Sequence, residues 1–338
     1  TDTANRCSIS TTLRALPHSS RKRADRSRHC NSGHNSMRKG GERRGLGTAV
    51  ALILSALSAA AQAQEPPVPP GRDPGGIPVA LIGPGLDYTL PHLAQMLTRD
   101  GEGEITGYDF IDDDRRPFEA KDVADKVGPG THVAGIVTGE GQAATIIAIR
   151  AILDDLVSLT KAIKFAAQSP ARIIAIDRAI ETPIEMAMFN SAARHYREHL
   201  FIVLAGEANT NLDSSVIDWF GAQNTIAANL LIVAACDQNG ILAASSNWGA
   251  SGVDVAIDAV SHFVVDERAS LPKDPALSRI ALARVAALAA RLLAVEPHIR
   301  GAAFKERIVR LAAPLPEQGP KRTRAGFIER PQRHFWLE

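Results

Sequence analysis

The chain has 338 residues, a formal net charge of +1 and 45% hydrophobic residues. This balance is typical of a globular domain and excludes the broad basic excess of many nucleic-acid-binding proteins. Of the three cysteines, Cys7 and Cys30 lie near the start, so only Cys236 remains in the body of the chain. A disulfide framework is therefore excluded there, and Cys236, in an apolar run, is predicted to be a small buried side chain.

The first 63 residues have two different compositions. Residues 1–36 are rich in Arg, Ser and His without apolar periodicity, which indicates disorder or an over-extended gene start. Residues 37–63 fit a signal peptide, with a basic start, an apolar run over 46–59 and a small-residue site that ends at Ala63. The apolar run is shorter than a typical membrane-spanning helix. We expect a secreted or periplasmic protein with no stable membrane span, followed by a Pro/Gly-rich linker over 64–77.

Strand and helix patterns alternate along the next part of the chain. Strands that alternate with helices imply right-handed βαβ units and a parallel sheet covered on both faces. The sequence therefore predicts an α/β fold, a three-layer α/β/α sandwich with a mainly parallel sheet. No dinucleotide fingerprint, phosphate-binding loop or paired-cysteine zinc pattern is present. The predicted strands are 78–82, 145–149, 172–176, 201–204 and 230–235, and the predicted helices are 154–168 and 184–196.

The stretch Val-Gly-Pro-Gly-Thr-His-Val-Ala-Gly over 127–135 predicts a tight turn followed by a helix that Thr131 caps. It resembles the histidine motif of the subtilisin-like serine proteases, His-Gly-Thr-His-Val-Ala-Gly. Pro129 stands where that family has its catalytic base. A proline side chain accepts no proton, so it cannot act as a general base.

Two further segments resemble the same family. Residues 83–93 match its aspartate motif, with Gly83 in place of the catalytic aspartate, while residues 243–256 match its Ser-Asn-Tyr-Gly-x-x-Val-Asp-Val-Ala run. The resemblance implies a subtilisin-like domain over 78–316, followed by a basic and aromatic tail over 317–338.

The nucleophile and oxyanion positions are replaced as well. Glu207 stands where the family has the asparagine that donates to the oxyanion, and a carboxylate there repels negative charge. In the helix that resembles the nucleophile motif, Arg279 stands at the position of the family's nucleophilic serine. Ser278 precedes that position by one residue, so on a helix its side chain would point about 100° away. The resemblance thus implies no intact catalytic residue.

The family segment that walls the main specificity pocket corresponds to Asp177, Arg178 and Ala179. We predict that Arg279 lies within salt-bridge reach of Glu207, Asp177 or both, and that this pairing plugs the former oxyanion hole. The predicted substrate-cleft residues are Asp177, Arg178, Ala179, Gly206, Glu207 and Arg279.

By its resemblance the chain would be a serine endopeptidase, but the replaced positions favour an inactive pseudoprotease. Such a protein would bind a peptide or protein partner in the former substrate cleft, and no nucleic acid. The alternative is an active serine-type endopeptidase with a relocated site. Its candidate groups are His92, His132, Asp87, Ser245 and Ser246.

No cofactor is expected. The acidic triplet Asp112, Asp113 and Asp114 offers oxygen ligands of the kind that calcium takes. With Arg115 and Arg116 beside it, the triplet is better interpreted as a solvated charged turn.

Overall fold

The computed structural model describes residues 65–119, 127–215, 226–260, 277–316 and 321–329. The strands are β1 (Ile77–Gly83), β2 (Tyr108–Asp109), β3 (Ala144–Arg150), β4 (Ile173–Ala179), β5 (Leu200–Leu204), β6 (Leu230–Cys236), β7 (Val255–Asp258) and β8 (Phe327–Ile328). They form one sheet in the order β2-β3-β1-β4-β5-β6-β7-β8, and every neighbouring pair is parallel. The predicted parallel sheet is confirmed.

Helices cover both faces of this sheet. The helices are α1 (Pro91–Ala94), α2 (Pro129–Glu140), α3 (Leu156–Gln168), α4 (Pro183–His195), α5 (Leu277–Val295) and α6 (Gly301–Val309). One apolar core joins the sheet to α2, α5 and α6, and a second joins the opposite face to α3 and α4. The three-layer α/β/α sandwich is therefore confirmed, with α2 and α5 at the centre of one layer.

The sequence forms this sheet because its central strands are apolar on both faces. All residues of β5 and β6 are buried, as expected for strands that helices cover on both sides. Helix α5 is rich in alanine, and small side chains such as Ala281, Ala283 and Ala286 let it lie close to β4, β5 and β6.

Capping differs from the prediction at helix α2. Asp155 caps α3, and Thr182 forms a reciprocal capping box with Glu185 at α4. Helix α2, however, begins at Pro129, so Thr131 lies inside the helix and the predicted Thr131 cap is wrong. Proline suits the first helical position because its fixed φ is already helical and it lacks an N–H that would need a partner.

The sheet extends beyond the predicted domain boundary at 316. Residues 321–329 include β8, which pairs with β7, so Phe327 and Ile328 of the predicted tail belong to the sheet. Part of the predicted linker also packs on the domain, since the Tyr88 hydroxyl donates to the Pro66 carbonyl at 2.7 Å. The predictions for 1–36 and 37–63 lie outside the described residues.

Cys236 is buried, as predicted, and burial raises the pKa of its thiol. Within the described ranges, no helix has the length and apolar character needed to cross a membrane.

Candidate functional site

The edge of the sheet at the carboxyl ends of the strands brings the family positions together. Gly83 ends β1, Asp177 lies near the end of β4, and Glu207 follows β5, while β1, β4 and β5 are neighbours in the sheet. Helices α2 and α5 begin at the same edge, with Pro129 and Arg279 in their first turns. Ligand sites of parallel sheets form at this edge.

Arg279 and Asp177 form the ion pair that the sequence predicts. The Arg279 Nε donates to the Asp177 Oδ1 at 2.8 Å. The Asp177 side chain is only 5% exposed, whereas that of Arg279 is 38% exposed. The second carboxylate oxygen, Oδ2, is buried and has no hydrogen-bond partner among the described residues. One end of this pair is therefore buried and the other faces the cleft.

The Asp177 carboxyl is not an ordinary paired carboxylate. Burial raises its pKa to about 6, although the Arg279 guanidinium acts in the opposite direction. The nearby Glu119 carboxyl raises the pKa further. Because one guanidinium contact does not compensate the loss of hydration, this carboxyl titrates close to neutral pH.

Gly83, the position predicted to correspond to the family aspartate, lies next to Asp177. A Cβ atom added to Gly83 would lie 3.6 Å from the Asp177 Cβ, so a longer side chain there would meet the Asp177 carboxyl. A cavity of about 20 Å³ lies beside both residues and is lined also by Gly85 and Gly130. An acid on β4 thus borders the place where the family carries one on β1.

Glu119 is a site residue that the sequence analysis missed. Its carboxylate accepts hydrogen bonds from the backbone N–H groups of Gly130 at 2.9 Å and Thr131 at 2.8 Å, and from the Thr131 hydroxyl at 2.7 Å. It thereby satisfies the N–H groups at the start of α2, directly after Pro129. Burial raises the pKa of the Glu119 carboxyl, and the hydrogen bonds from Gly130 and Thr131, followed by the charge of Arg279, counteract this increase. The loop that holds Glu119 has no periodic pattern that would single out this residue.

Of the two acids predicted as alternative partners of Arg279, Asp177 pairs with it, and Glu207 has other partners in the described structure. Its carboxylate instead accepts from the Ser278 backbone N–H at 2.7 Å and the Ser278 hydroxyl at 2.8 Å. The first N–H groups of a helix lack intrahelical partners and attract negative charge, so the Glu207 carboxylate binds at the start of α5 instead of binding Arg279. Gly206, just before it, has a φ of +101°, which favours glycine.

Arg178 lies apart from the Asp177–Arg279 pair. Successive side chains of a strand point to opposite faces, and Arg178 binds Glu185 of α4 and Asp154 before α3, on the other side of the sheet. Ala179 ends β4 beyond a register shift relative to β5. Of the predicted cleft residues, the structure thus brings Asp177 into contact with Arg279 and Glu207 into contact with α5, but not Arg178.

The candidate groups for a relocated site have other surroundings. His92 is exposed on α1, whereas His132 is buried in α2. The Ser246 hydroxyl accepts from the Ala235 N–H at 3.2 Å and donates to the Asn247 carbonyl at 3.1 Å. The Asp87 carboxylate accepts from the Thr89 N–H at 3.0 Å. Asp87 and Ser246 therefore support local backbone structure.

Asp112 of the predicted acidic triplet is one of three acids that lie around the guanidinium group of Arg150. The Arg150 Nη1 lies 2.7 Å from the Asp109 carboxylate, 2.6 Å from Asp112 and 3.1 Å from Glu65. Within the described ranges, these three acids have carboxylate oxygens close enough together to surround a cation. A calcium ion there would have to displace Arg150, so the donor set fits an arginine-centred cluster better than a metal site.

Comparisons with known proteins agree with this geometry. No protein-family model matches the chain. A thermophilic serine proteinase from Bacillus sp. strain AK1 is 32% identical over 203 residues, which cover 53% of this chain and 45% of that protein. The match thus spans less than half of that relative's length.

Solved structures of subtilisin-like proteins match more of the chain. A cold-adapted subtilisin-like serine proteinase has a TM-score of 0.57 at 16% identity and covers 78% of this chain and 92% of its own. A lanthipeptide protease has a TM-score of 0.56 at 19% identity, over 76% of this chain and 87% of its own. At such identities the likeness concerns the fold. The chain has the subtilisin-like fold, and its resemblance to the subtilisin-like serine proteases is supported in sequence and in structure.

Proposed function

We propose that this chain is a subtilisin-like domain that does not hydrolyse peptide bonds and that binds a peptide or protein segment in the former substrate cleft. The observation that carries the proposal is the arginine at the nucleophile position, held by a buried aspartate. The Arg279 Nε donates a hydrogen bond to the Asp177 Oδ1 at 2.8 Å. A guanidinium is always protonated and has no nucleophilic lone pair at neutral pH.

The other catalytic positions support the same conclusion. Pro129 accepts no proton, Gly83 has no side chain, and Glu207 carries negative charge to the oxyanion position. A serine protease mechanism needs nucleophile, base and oxyanion donors together, since the parts act as a unit. The nearby Ser278 hydroxyl is engaged with Glu207 and the residue is only 5% exposed.

Peptide binding is supported by the half-exposed end of Arg279. In the described part of the chain, its Nη1 and Nη2 atoms make no hydrogen bond, while its Nε is fixed by Asp177. A guanidinium fixed in this way offers two donors to the carbonyl oxygens of an extended segment. Under this proposal the predicted signal peptide over 37–63 would export the protein, so the partner would be met outside the cytoplasm.

Hydrolysis of casein and of short peptide esters, with and without phenylmethylsulfonyl fluoride, tests the loss of activity. We expect no inhibitor-sensitive cleavage by the purified chain. Restoring Gly83→Asp, Pro129→His, Glu207→Asn and Arg279→Ser together should recover activity only when Asp177→Ser is added, because Asp177 would meet the restored aspartate. Inhibitor-sensitive cleavage by the unaltered chain would contradict the proposal.

A further inference from the structure

Three large aliphatic side chains are exposed where the chain enters α3 and α4, the two helices that cover the face of the sheet opposite α2 and α5. Val157 is 63% exposed, Ile184 is 61% exposed and Ile152 is 48% exposed. Val157 and Ile184 are the second residues of α3 and α4, and Ile152 lies in the loop between β3 and α3. Single exposed apolar residues are common, whereas several at one place mark interaction sites.

Ion pairs join the chain segments that carry these three residues. The Arg178 Nη1 lies 2.6 Å from the Asp154 Oδ1, and its Nη2 lies 2.6 Å from the Glu185 Oε1 and 3.5 Å from the Glu181 Oε2. We call these four residues the Arg178 cluster. Asp154 lies between Ile152 and Val157 in the chain, and Ile184 precedes Glu185. The cluster therefore joins the two helix starts, and each of the three aliphatic residues lies within three positions of a cluster residue in the chain.

Local structure does not account for these aliphatic residues. Asp155 already caps α3, and the Thr182–Glu185 box caps α4. β-branched side chains lower helix propensity, and at this exposure they add little to the core. The residues thus have no stabilising role that their positions require.

The charge of the cluster specifies the kind of partner. Three carboxylates surround one guanidinium, which leaves an excess of two negative charges, and Asp154 and Glu181 are 83% and 61% exposed. A cationic partner would meet these exposed carboxylates, whereas an acidic one would be repelled.

We propose that the surface formed by Ile152, Val157 and Ile184 around the Arg178 cluster docks a protein segment that carries aliphatic side chains beside lysine or arginine. Aliphatic side chains of the partner cover the three exposed residues, and its cations lie against Asp154 and Glu181. The surface is separate from the Asp177–Arg279 pair, because Asp177 and Arg178 point to opposite faces of the sheet. It therefore stands independently of the cleft.

Binding of short fluorescent peptides to the full chain, measured by anisotropy, tests this proposal. The probes are an alternating leucine–lysine peptide and its leucine–glutamate counterpart. The double variant Val157→Ser/Ile184→Ser should weaken binding of the leucine–lysine peptide about tenfold or more. The matched control is Val295→Ser, since Val295 is 66% exposed at the far end of α5, and this variant should bind like the parent.

The charge is tested separately. The double variant Asp154→Asn/Glu181→Gln should weaken binding of the leucine–lysine peptide and reduce its salt dependence, while Glu306→Gln, on an exposed pair with Arg310, should not. The leucine–glutamate peptide should bind the parent about tenfold more weakly or not at all. Melting temperatures within about 2 °C of the parent establish that each variant is folded, and Ile152→Ser in the loop replaces any helix variant that is not.

Three results would overturn the proposal. One is unchanged binding by the Val157→Ser/Ile184→Ser variant. Another is equal binding of the two peptides, or an equal loss in Val295→Ser, which would indicate unspecific adhesion. The third is self-association in sedimentation velocity that the Val157→Ser/Ile184→Ser variant abolishes, which would assign the surface to a second copy of the chain.

Discussion

Two buried aspartates, Asp254 and Asp177, show the difference between the framework of this protein and the candidate site at the carboxyl edge of the sheet. Asp254 is 1% exposed, and its Oδ2 lies 2.8 Å from the Lys305 Nζ and accepts from the Ile232 N–H at 2.9 Å. Its Oδ1 lies 3.0 Å from the Arg324 Nη1. Asp177 is buried almost as deeply but has one close contact, to Arg279, and an Oδ2 without a hydrogen-bond partner among the described residues.

The comparison indicates what each carboxylate contributes. Asp254 belongs to the Val-Asp-Val-Ala run that resembles the protease family, and it joins β6, α6 and the segment before β8. The Asp254 Oδ1 also has no hydrogen bond among the described residues, but its two oxygens lie 2.8 and 3.0 Å from two different cationic groups, so its charge is compensated within the fold. Asp177 has one cationic partner, which is itself 38% exposed, and burial raises the pKa of Asp177, which is typical of a site rather than of a framework.

The largest effect is expected at the framework pair. Lys305→Ala leaves the buried Asp254 without its ammonium partner, so the free energy of unfolding should fall by about 3 to 5 kcal/mol. Urea denaturation measures the change. Arg310→Ala is the control. It breaks the exposed ion pair between Arg310 and Glu306 and should change stability little. A loss below about 1 kcal/mol in Lys305→Ala would mean that Asp254 is not held by this lysine.

A pH-dependent effect is expected at the site pair. Asp177 has a pKa of about 6 against an ordinary value of 3.8, so the folded protein binds this proton more tightly than the unfolded chain. The resulting stabilisation is complete below about pH 4 and is lost as the pH rises through 6. Between pH 4 and pH 8 the Asp177→Asn variant should therefore gain about 2 kcal/mol in unfolding free energy relative to the parent.

Denaturant unfolding across this pH range checks the prediction, with Glu198→Gln as a control because Glu198 is 74% exposed. Parallel pH profiles of the parent and Asp177→Asn would show that the Asp177 carboxyl is not perturbed. The raised pKa that marks Asp177 as part of a site in this comparison would then be absent.

The smallest effect is expected at Glu207. Glu207→Ala removes the carboxylate that binds the Ser278 N–H and hydroxyl at the start of α5, a loss of about 1 kcal/mol for a helix cap. Thermal unfolding measures it, and Glu207→Gln should recover part of the loss. If both variants melt like the parent, Glu207 does not cap α5 and is free for another partner.

The sequence predicted the central architecture because its apolar strands and periodic helices are long. It missed β2, β7 and β8, with two, four and two residues, because runs of that length carry no clear alternation. Asp177 was predicted beside Arg279 from the family frame. Glu119 and the Ser278 contact of Glu207 depend on which donors are free at two helix starts, and the tertiary structure decides this.

Fluorophosphonate labelling tests the central claim, the absence of an activated serine, most directly. The purified chain and the variant with the five restored positions, 83, 129, 177, 207 and 279, are treated with the same probe. We expect the unaltered chain to remain unlabelled at probe concentrations that label the restored variant. Stoichiometric labelling of a serine in the unaltered chain would contradict it, and the labelled residue would identify the active site.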